Sequence, residues 1–173
     1  IAYTTLPNGN TDGNNLNDTS SVNFTVYSNG LTLPFTEDFE NGFSNQNWSV
    51  NNPDGGITWD LATISGTTPG TQAAKMDFYN YGQQGERDFL ISPKLDFSSQ
   101  TAIDLYFEYA YRRYDQNTSD SLIISISADC GQTYTRLLVL GEDGTGSFAT
   151  AYTNTADFTP TTGDWCTGTI GAD

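Results

Sequence analysis

Apolar and polar side chains alternate with a period of two residues along most of this chain, and no window keeps the 3.6-residue period of a helix. The clearest example runs from Leu105 to Tyr111. Successive side chains of a strand point to opposite faces, so the alternation predicts β-strands. The segment from Tyr134 to Leu140 is apolar enough to predict a strand in a sheet interior. Many short strands separated by Gly, Asn and Pro turns favour an all-β sandwich.

The chain is strongly acidic. It has 6 Lys and Arg residues against 21 Asp and Glu residues, and its formal net charge is −15 at pH 7. Such a surface repels phosphate groups, so we predict no nucleic-acid partner. No apolar run is long enough to span a bilayer, so we predict no direct membrane insertion. The chain has no histidine, which excludes a Ser-His-Asp triad and a His-ligated zinc site. We therefore predict that it is not an enzyme.

A domain boundary is predicted near residue 30. The segment 7–15 is rich in turn-forming residues, and a strand is predicted at about 20–27. One loop and one or two strands cannot bury a core. We therefore interpret residues 1–30 as the last strands of an Ig-like domain with a linker, in an interior fragment of a longer protein. Residues 31–173 form the main domain.

The segment 33–42 is predicted to be the opening strand of the main domain, and it carries Glu37, Asp38 and Glu40. A glycosidase needs two carboxylates facing one cleft. Asp38 and Glu40 would share one face of this strand, so the geometry alone does not forbid that role. Their spacing differs from the Glu-x-Asp-x-x-Glu pattern of jelly-roll glycosidases, and no partner strand repeats it. A glycosidase is therefore the least favoured hypothesis.

Calcium is the better candidate ligand for this acidic region. It takes six to eight oxygen ligands from carboxylates, amides and carbonyls in flexible loops. Asn52 and Asp54 lie in a loop whose Gly55 and Gly56 leave carbonyls accessible, and Glu40 could complete the site. We predict a structural calcium held by Glu40, Asn52 and Asp54. The alternative is a plain Asx turn at residues 52–56, with Glu40 capping backbone amides.

Exposed tyrosines in loops are the candidate ligand-binding residues. Tyr79 and Tyr81 lie in a predicted loop, and loops carry binding in folds of this kind. We predict that they contact a glycan or a cell-surface protein. Trp48 and Trp59 could stack on a sugar, but a Trp after a strand of a small sandwich more often fills the core.

The chain contains two cysteines, Cys130 and Cys166. They could form a disulfide with each other. Alternatively, Cys166 could pair with a cysteine located beyond Asp173. Free thiols are the third and least favoured alternative, and the absence of a CxxC motif gives no support to a redox or zinc role.

Several segments together resemble the cleaved-adhesin or choice-of-anchor modules of secreted Bacteroidetes proteins. They are Phe39-Glu40-Asn41-Gly42, Trp48, Asp54-Gly55-Gly56, Trp59, residues 89–97, residues 127–134, Phe158-Thr159-Pro160 and Trp165. The resemblance implies a MAM-like jelly-roll β-sandwich, a structural calcium in this neighbourhood, and secretion to the cell surface through the type IX pathway. It also implies an adhesion or accessory binding role.

The same resemblance implies two further expectations. Members of the family continue past the region of Trp165 with one or two more strands, so we expect a jelly roll truncated at its C-terminal end. Its closing strands would come from the remaining parts of the parent protein. The alternative function is a stabilising or targeting appendage of a secreted metallopeptidase.

Overall fold

The computed structural model describes residues 2–3, 19–20, 30–44, 47–64, 70–141 and 148–171. The strands within these ranges are β1 (Ala2–Tyr3), β2 (Thr19–Ser20), β3 (Ser49–Asn51), β4 (Asp60–Thr63), β5 (Gln72–Lys75), β6 (Phe89–Ile91), β7 (Leu105–Tyr109), β8 (Ser121–Ile126), β9 (Thr135–Gly141) and β10 (Cys166–Ile170). A 3-10 turn, Thr162–Asp164, precedes β10. The prediction of an all-β chain is confirmed.

The described strands pair antiparallel, two by two. The pairs are β1 with β2, β3 with β6, β4 with β5, β7 with β10, and β8 with β9. Each strand therefore has one edge that no other described strand occupies. The stacking of these pairs into a jelly-roll sandwich, the truncation and the division at residue 30 all stay predictions. The predicted loop at 7–15, and all but Ser20 of the strand predicted at 20–27, lie outside the described residues.

The hairpin of β8 and β9 is more exposed than the sequence predicted. Leu138 and Leu140 are half-buried, but Leu137 and Val139 on the opposite face are exposed. The expectation of a fully interior strand is therefore wrong. The physical reason is that successive side chains point to opposite faces, and the hairpin buries mainly one of its two faces.

The pair of β7 and β10 brings the end of the described chain back to its middle. Gly168 lies opposite Phe107, and the Phe107 ring covers this glycine so closely that a Cβ at position 168 would collide with it. An aromatic ring laid over a cross-strand glycine helps to hold the register of the two strands.

The most buried aromatic rings lie just beyond β7. Tyr111 and Phe148 are buried, and their rings stack with centroids 4.2 Å apart and an interplanar angle of 8°. Phe78 approaches Tyr111 edge-on at 6.0 Å, and Tyr109 lies 6.0 Å from Phe148. The Tyr111 hydroxyl donates to Asp120 Oδ2 at 2.8 Å, and burial raises the pKa of Asp120.

Backbone hydrogen bonds fix this stack in place. Thr150 N donates to Tyr111 O at 2.8 Å, and Tyr111 N donates to Thr150 Oγ1 at 3.0 Å. Next to them, Arg112 and Ala151 form a parallel bridge. The segment that follows residue 147 is therefore held beside the end of β7.

No helix in the described part of the chain has the length and apolar character that crossing a bilayer requires.

Replacing Phe148 with alanine tests this core. Phe148 is 4% exposed, so Phe148→Ala should lower the free energy of unfolding by about 3–5 kcal/mol. Tyr152, in the same segment, is 97% exposed, and Tyr152→Ala should change it by less than about 0.5 kcal/mol. Urea denaturation measures both values. Equal effects of the two substitutions would contradict the placement of the core.

Candidate functional site

The acidic segment 33–42 is a series of turns and not a strand, so the predicted opening strand is wrong. Glu37 Oε1 accepts a hydrogen bond from Phe39 N at 2.7 Å, and Asp38 Oδ1 accepts one from Glu40 N at 3.1 Å. Phe39 has a φ of 61°, in the left-handed region. Side chains that bond the neighbouring backbone compete with a sheet ladder. Asp38 and Glu40 therefore share no strand face.

Trp48 packs against neighbouring side chains, which is the role that the sequence favoured over sugar stacking. Its Nε1 donates to Glu37 Oε2 at 2.6 Å, and its ring lies 5.5 Å from the ring of Phe39. The half-buried indole thus joins the acidic turns to β3, which begins at the next residue. Its surroundings are those of a packing residue and not of an open sugar platform.

Glu40 binds the start of β5. Its Oε1 accepts from Gln72 N at 2.7 Å and from Thr71 N, and its Oε2 accepts from Thr71 Oγ1 at 2.8 Å. The hydrogen bonds from the Thr71 backbone and side chain, together with that from Gln72, lower the pKa of Glu40. This is the amide-capping arrangement that the sequence left open as the alternative to calcium binding.

Asn52 and Asp54 form a closed set of hydrogen bonds within their own loop. Gly55 N donates to Asn52 Oδ1 at 2.8 Å, and Asn52 Nδ2 donates to Gly56 O at 2.8 Å. Gly56 N donates to Asp54 Oδ1 at 3.0 Å. Gly55 has a φ of 70°, which a glycine adopts without a steric cost. The loop therefore has the geometry of linked Asx turns.

Asp54 also contacts Tyr81, whose hydroxyl reaches Asp88, a residue that the sequence did not single out. The Tyr81 hydroxyl lies 2.8 Å from Asp54 Oδ2 and 3.2 Å from Asp88 Oδ2. Desolvation, followed by the hydrogen bond to Asp54, raises the pKa of Tyr81. The Gly56 amide and then the Tyr81 hydroxyl lower the pKa of Asp54. No motif marks Asp88, which lies directly before β6, so only the fold brings it here.

The single Tyr81 hydroxyl proton cannot satisfy both of the carboxylates that this hydroxyl contacts. A phenol has one O–H proton and can donate fully to only one of the two carboxylates. Asp88 Oδ1 is buried and has no hydrogen-bond partner among the described residues. The Asp88 carbonyl accepts from Trp59 Nε1 at 3.2 Å, so the backbone at this point is held by the second indole.

The structure thus divides the predicted calcium ligands between two places. Glu40 accepts hydrogen bonds at the start of β5, while Asn52 and Asp54 form hydrogen bonds within their own loop beside Tyr81. Among the described residues, no three His, Cys, Asp or Glu side chains come together in a way that could hold a metal ion. A calcium site formed by Glu40, Asn52 and Asp54 stays a prediction.

The two tyrosines predicted to bind a ligand have different surroundings. Tyr81 is half-buried and faces the carboxylates, whereas Tyr79 is 49% exposed. Tyr79 lies 6.1 Å from the ring of Tyr114, which is 44% exposed, and the two rings are inclined at 54°. We call Tyr79 and Tyr114 the tyrosine pair.

Both loops that carry the tyrosine pair are held by side-chain hydrogen bonds. Asp77 Oδ2 accepts from Asn80 Nδ2 at 2.9 Å across the turn of Tyr79. Asp115 Oδ1 accepts from Asn117 N at 2.7 Å and from Thr118 N at 2.9 Å, directly after Tyr114. Each tyrosine of the pair therefore lies in or beside a turn that side-chain hydrogen bonds hold in place.

The adjacent arginines brace the same region. Arg113 Nε donates to Thr118 O at 2.8 Å, and Arg112 NH2 donates to Asp157 O at 2.9 Å. The Arg112 guanidinium also lies 4.7 Å from the centroid of the Phe158 ring. These contacts are therefore with carbonyl oxygens and with an aromatic face.

Cys130 and Cys166 are both free and exposed. Cys130 lies in the turn between β8 and β9, and Cys166 opens β10, which pairs with β7. The disulfide between them is therefore not formed in this structure. Pairing of Cys166 with a cysteine beyond residue 173 stays a prediction.

Comparison of the chain with protein-family models, with curated proteins and with solved structures found no match. The resemblance to cleaved-adhesin modules therefore stays a hypothesis based on the quoted sequence segments.

Replacing Glu40 with glutamine tests its capping role. The pKa of Glu40 is lowered from 4.5 in the folded chain, so its charge stabilises the fold above about pH 4.5 and this contribution disappears as the pH falls through the lowered value. Glu40→Gln should therefore lower Tm at pH 7, and the difference from the unaltered chain should shrink in acid. Melting curves between about pH 7 and pH 2 measure this.

Glu86→Gln is the matched control, because Glu86 is exposed and has no hydrogen bond among those described. Its Tm should follow that of the unaltered chain at every pH. A Tm difference for Glu40→Gln that is the same at pH 7 and at low pH would argue against a charged cap.

Proposed function

We propose that this chain is a non-catalytic binding module, of adhesion or accessory type, in a larger secreted or cell-surface protein. The tyrosine pair is the observation that carries the proposal. Large aromatic side chains that stay exposed on ordered loops are typical of recognition surfaces, because they offer contact area with little conformational entropy to lose. The expected partners are a glycan or a cell-surface protein.

The anchoring of the tyrosine pair supports this role. Phe78 packs edge-on against buried Tyr111, while the next residue, Tyr79, points outward. In the same way Arg113 is tied to Thr118 O, while the next residue, Tyr114, is exposed. Each tyrosine is therefore held by its neighbour in the chain, and a partner would meet a surface that is already ordered. Such preorganisation reduces the entropic cost of binding.

The scaffold in this proposal is a jelly-roll sandwich formed by the main domain, residues 31–173. The described strand pairs would be parts of its two layers. Such a scaffold acts passively: it holds loops at one end and carries out no chemical step. The acidic surface would keep the module soluble in a salty extracellular medium.

The proposal includes a structural calcium in the loop of residues 52–56. The support is the contact of Asp54 and Asp88 with a single Tyr81 hydroxyl, together with the unpartnered Asp88 Oδ1. Calcium prefers carboxylate and carbonyl oxygens, and it would offset the repulsion of two carboxylates. Glu40 would not be a ligand while its oxygens bind the amides of β5.

Calcium binding predicts a metal-dependent gain in thermal stability. At a calcium concentration about a hundredfold above Kd, Tm should rise by roughly 5–10 °C. Asp88→Asn should abolish most of this rise and, without calcium, should melt no lower than the unaltered chain, because it removes one of two repelling charges. Differential scanning fluorimetry with calcium or magnesium measures this, with Glu86→Gln as control. An equal rise in the unaltered chain and in Asp88→Asn, or no rise at all, would remove the site from the proposal.

Binding through the tyrosine pair predicts a ligand signal that depends on both rings. The labelled chain, the double variant Tyr79→Ala/Tyr114→Ala and the control Tyr106→Ala would be applied to one glycan array and one peptide array. Tyr106 is 68% exposed on β7, outside the pair. We expect at least one class of spots to lose about tenfold in signal with the double variant and to keep its signal with Tyr106→Ala. Identical array profiles for all three proteins would contradict the proposed function.

A further inference from the structure

A carboxylate braces each of the two loops that carry the tyrosine pair. Asp77 lies two residues before Tyr79 and braces its turn, and Asp115 directly follows Tyr114 and braces the other turn. The hydrogen bonds that these carboxylates accept from Asn80, Asn117 and Thr118 lower their pKa values, so both are ionised at neutral pH. Each of these two carboxylates also has a cation near it, Lys75 at Asp77 and Arg113 at Asp115.

The cations nearest in sequence already have partners. Lys75 Nζ lies 3.7 Å from Asp77 Oδ2, and the lysine compensates part of that charge. Arg113 Nε and Arg112 NH2 are directed at the carbonyl oxygens of Thr118 and Asp157. Hydrogen bonds to carbonyl oxygens leave the guanidinium charges in place, so the charges of the two loops largely offset one another. The net charge of the whole chain, −15, favours a positive partner and slows the approach of a negative one.

The geometry of the rings favours the same class of partner. Rings inclined at 54° do not share a plane, so the pair does not offer one flat platform to two successive sugar rings. Each ring instead presents a face of its own. A guanidinium or ammonium group within about 6 Å of a ring centroid is attracted by the negative face of the ring.

We propose that the tyrosine pair binds a basic polypeptide segment, with arginine or lysine side chains on the faces of Tyr79 and Tyr114. This inference rests on the proposed function and names the partner class for the same surface. The rings supply cation–π contacts, and the net negative charge of the chain supplies the long-range attraction. Arginine should bind better than lysine, because its planar guanidinium also stacks on an aromatic ring.

Isothermal titration with two synthetic peptides tests the inference. One peptide alternates arginine with glycine, and the matched peptide has glutamine in place of each arginine. The arginine peptide should bind the unaltered chain at least about tenfold more tightly than the glutamine peptide. Its affinity should fall with added salt, because exposed charges are screened.

Five variants locate the binding. Tyr79→Ala and Tyr114→Ala should each weaken arginine-peptide binding by about 2–5-fold, and the double alanine variant by about tenfold. Tyr79→Phe/Tyr114→Phe should bind within about twofold of the unaltered chain, because it keeps both ring faces. Tyr106→Ala should bind unchanged. Circular dichroism melts would confirm that each variant is folded.

The outcomes separate the inference from the proposed function. If the arginine peptide binds the unaltered chain and the double alanine variant equally, the attraction belongs to the acidic surface in general and the inference is overturned. If the double alanine variant instead loses binding to a neutral oligosaccharide on the glycan array, the inference is overturned while the proposed function stands. If no array ligand and no peptide depends on the pair, both are overturned.

Discussion

The stacked rings of Tyr111 and Phe148 are the contact on which the rest of this structure depends. They are buried where most other apolar side chains of the described residues are only partly covered. They also join the end of β7 to the segment after residue 147, and Phe78 brings a third part of the chain to the same point. Because two-stranded sheets are marginal on their own, a shared aromatic core is what can order the loops between them. Tyr79 and Tyr114 extend from those loops.

Carboxylates account for much of the remaining order. Glu37, Glu40, Asp54, Asp77 and Asp115 each accept hydrogen bonds from nearby backbone or side-chain donors. A net charge of −15 destabilises the folded chain through self-repulsion. Charge-assisted hydrogen bonds offset part of this destabilisation. The acidic residues therefore have two roles, since the same charges that brace the turns also set the electrostatic field at the surface.

The sequence predicted strands best where they are regular. The alternating segment that begins at Leu105 is present as β7. It failed at residues 33–42, where apolar and acidic residues also alternate but Glu37 and Asp38 bond their own backbone. Local alternation cannot distinguish these cases, because the competing hydrogen bonds become visible only with the coordinates. The candidate site was found in part: Tyr79, Tyr81 and Asp54 were singled out, whereas Asp88 had no stronger signal than many similar residues.

The sequence by itself determined the class of fold and the sign of the surface charge, because side-chain period and composition are properties of the chain alone. It also excluded histidine chemistry. The tertiary structure decided which side chains meet: Tyr79 with Tyr114, Tyr81 with Asp54 and Asp88, and Glu40 with the amides of β5. These contacts join residues up to 35 positions apart, and such pairings follow from packing around the Tyr111–Phe148 core, which no local pattern encodes.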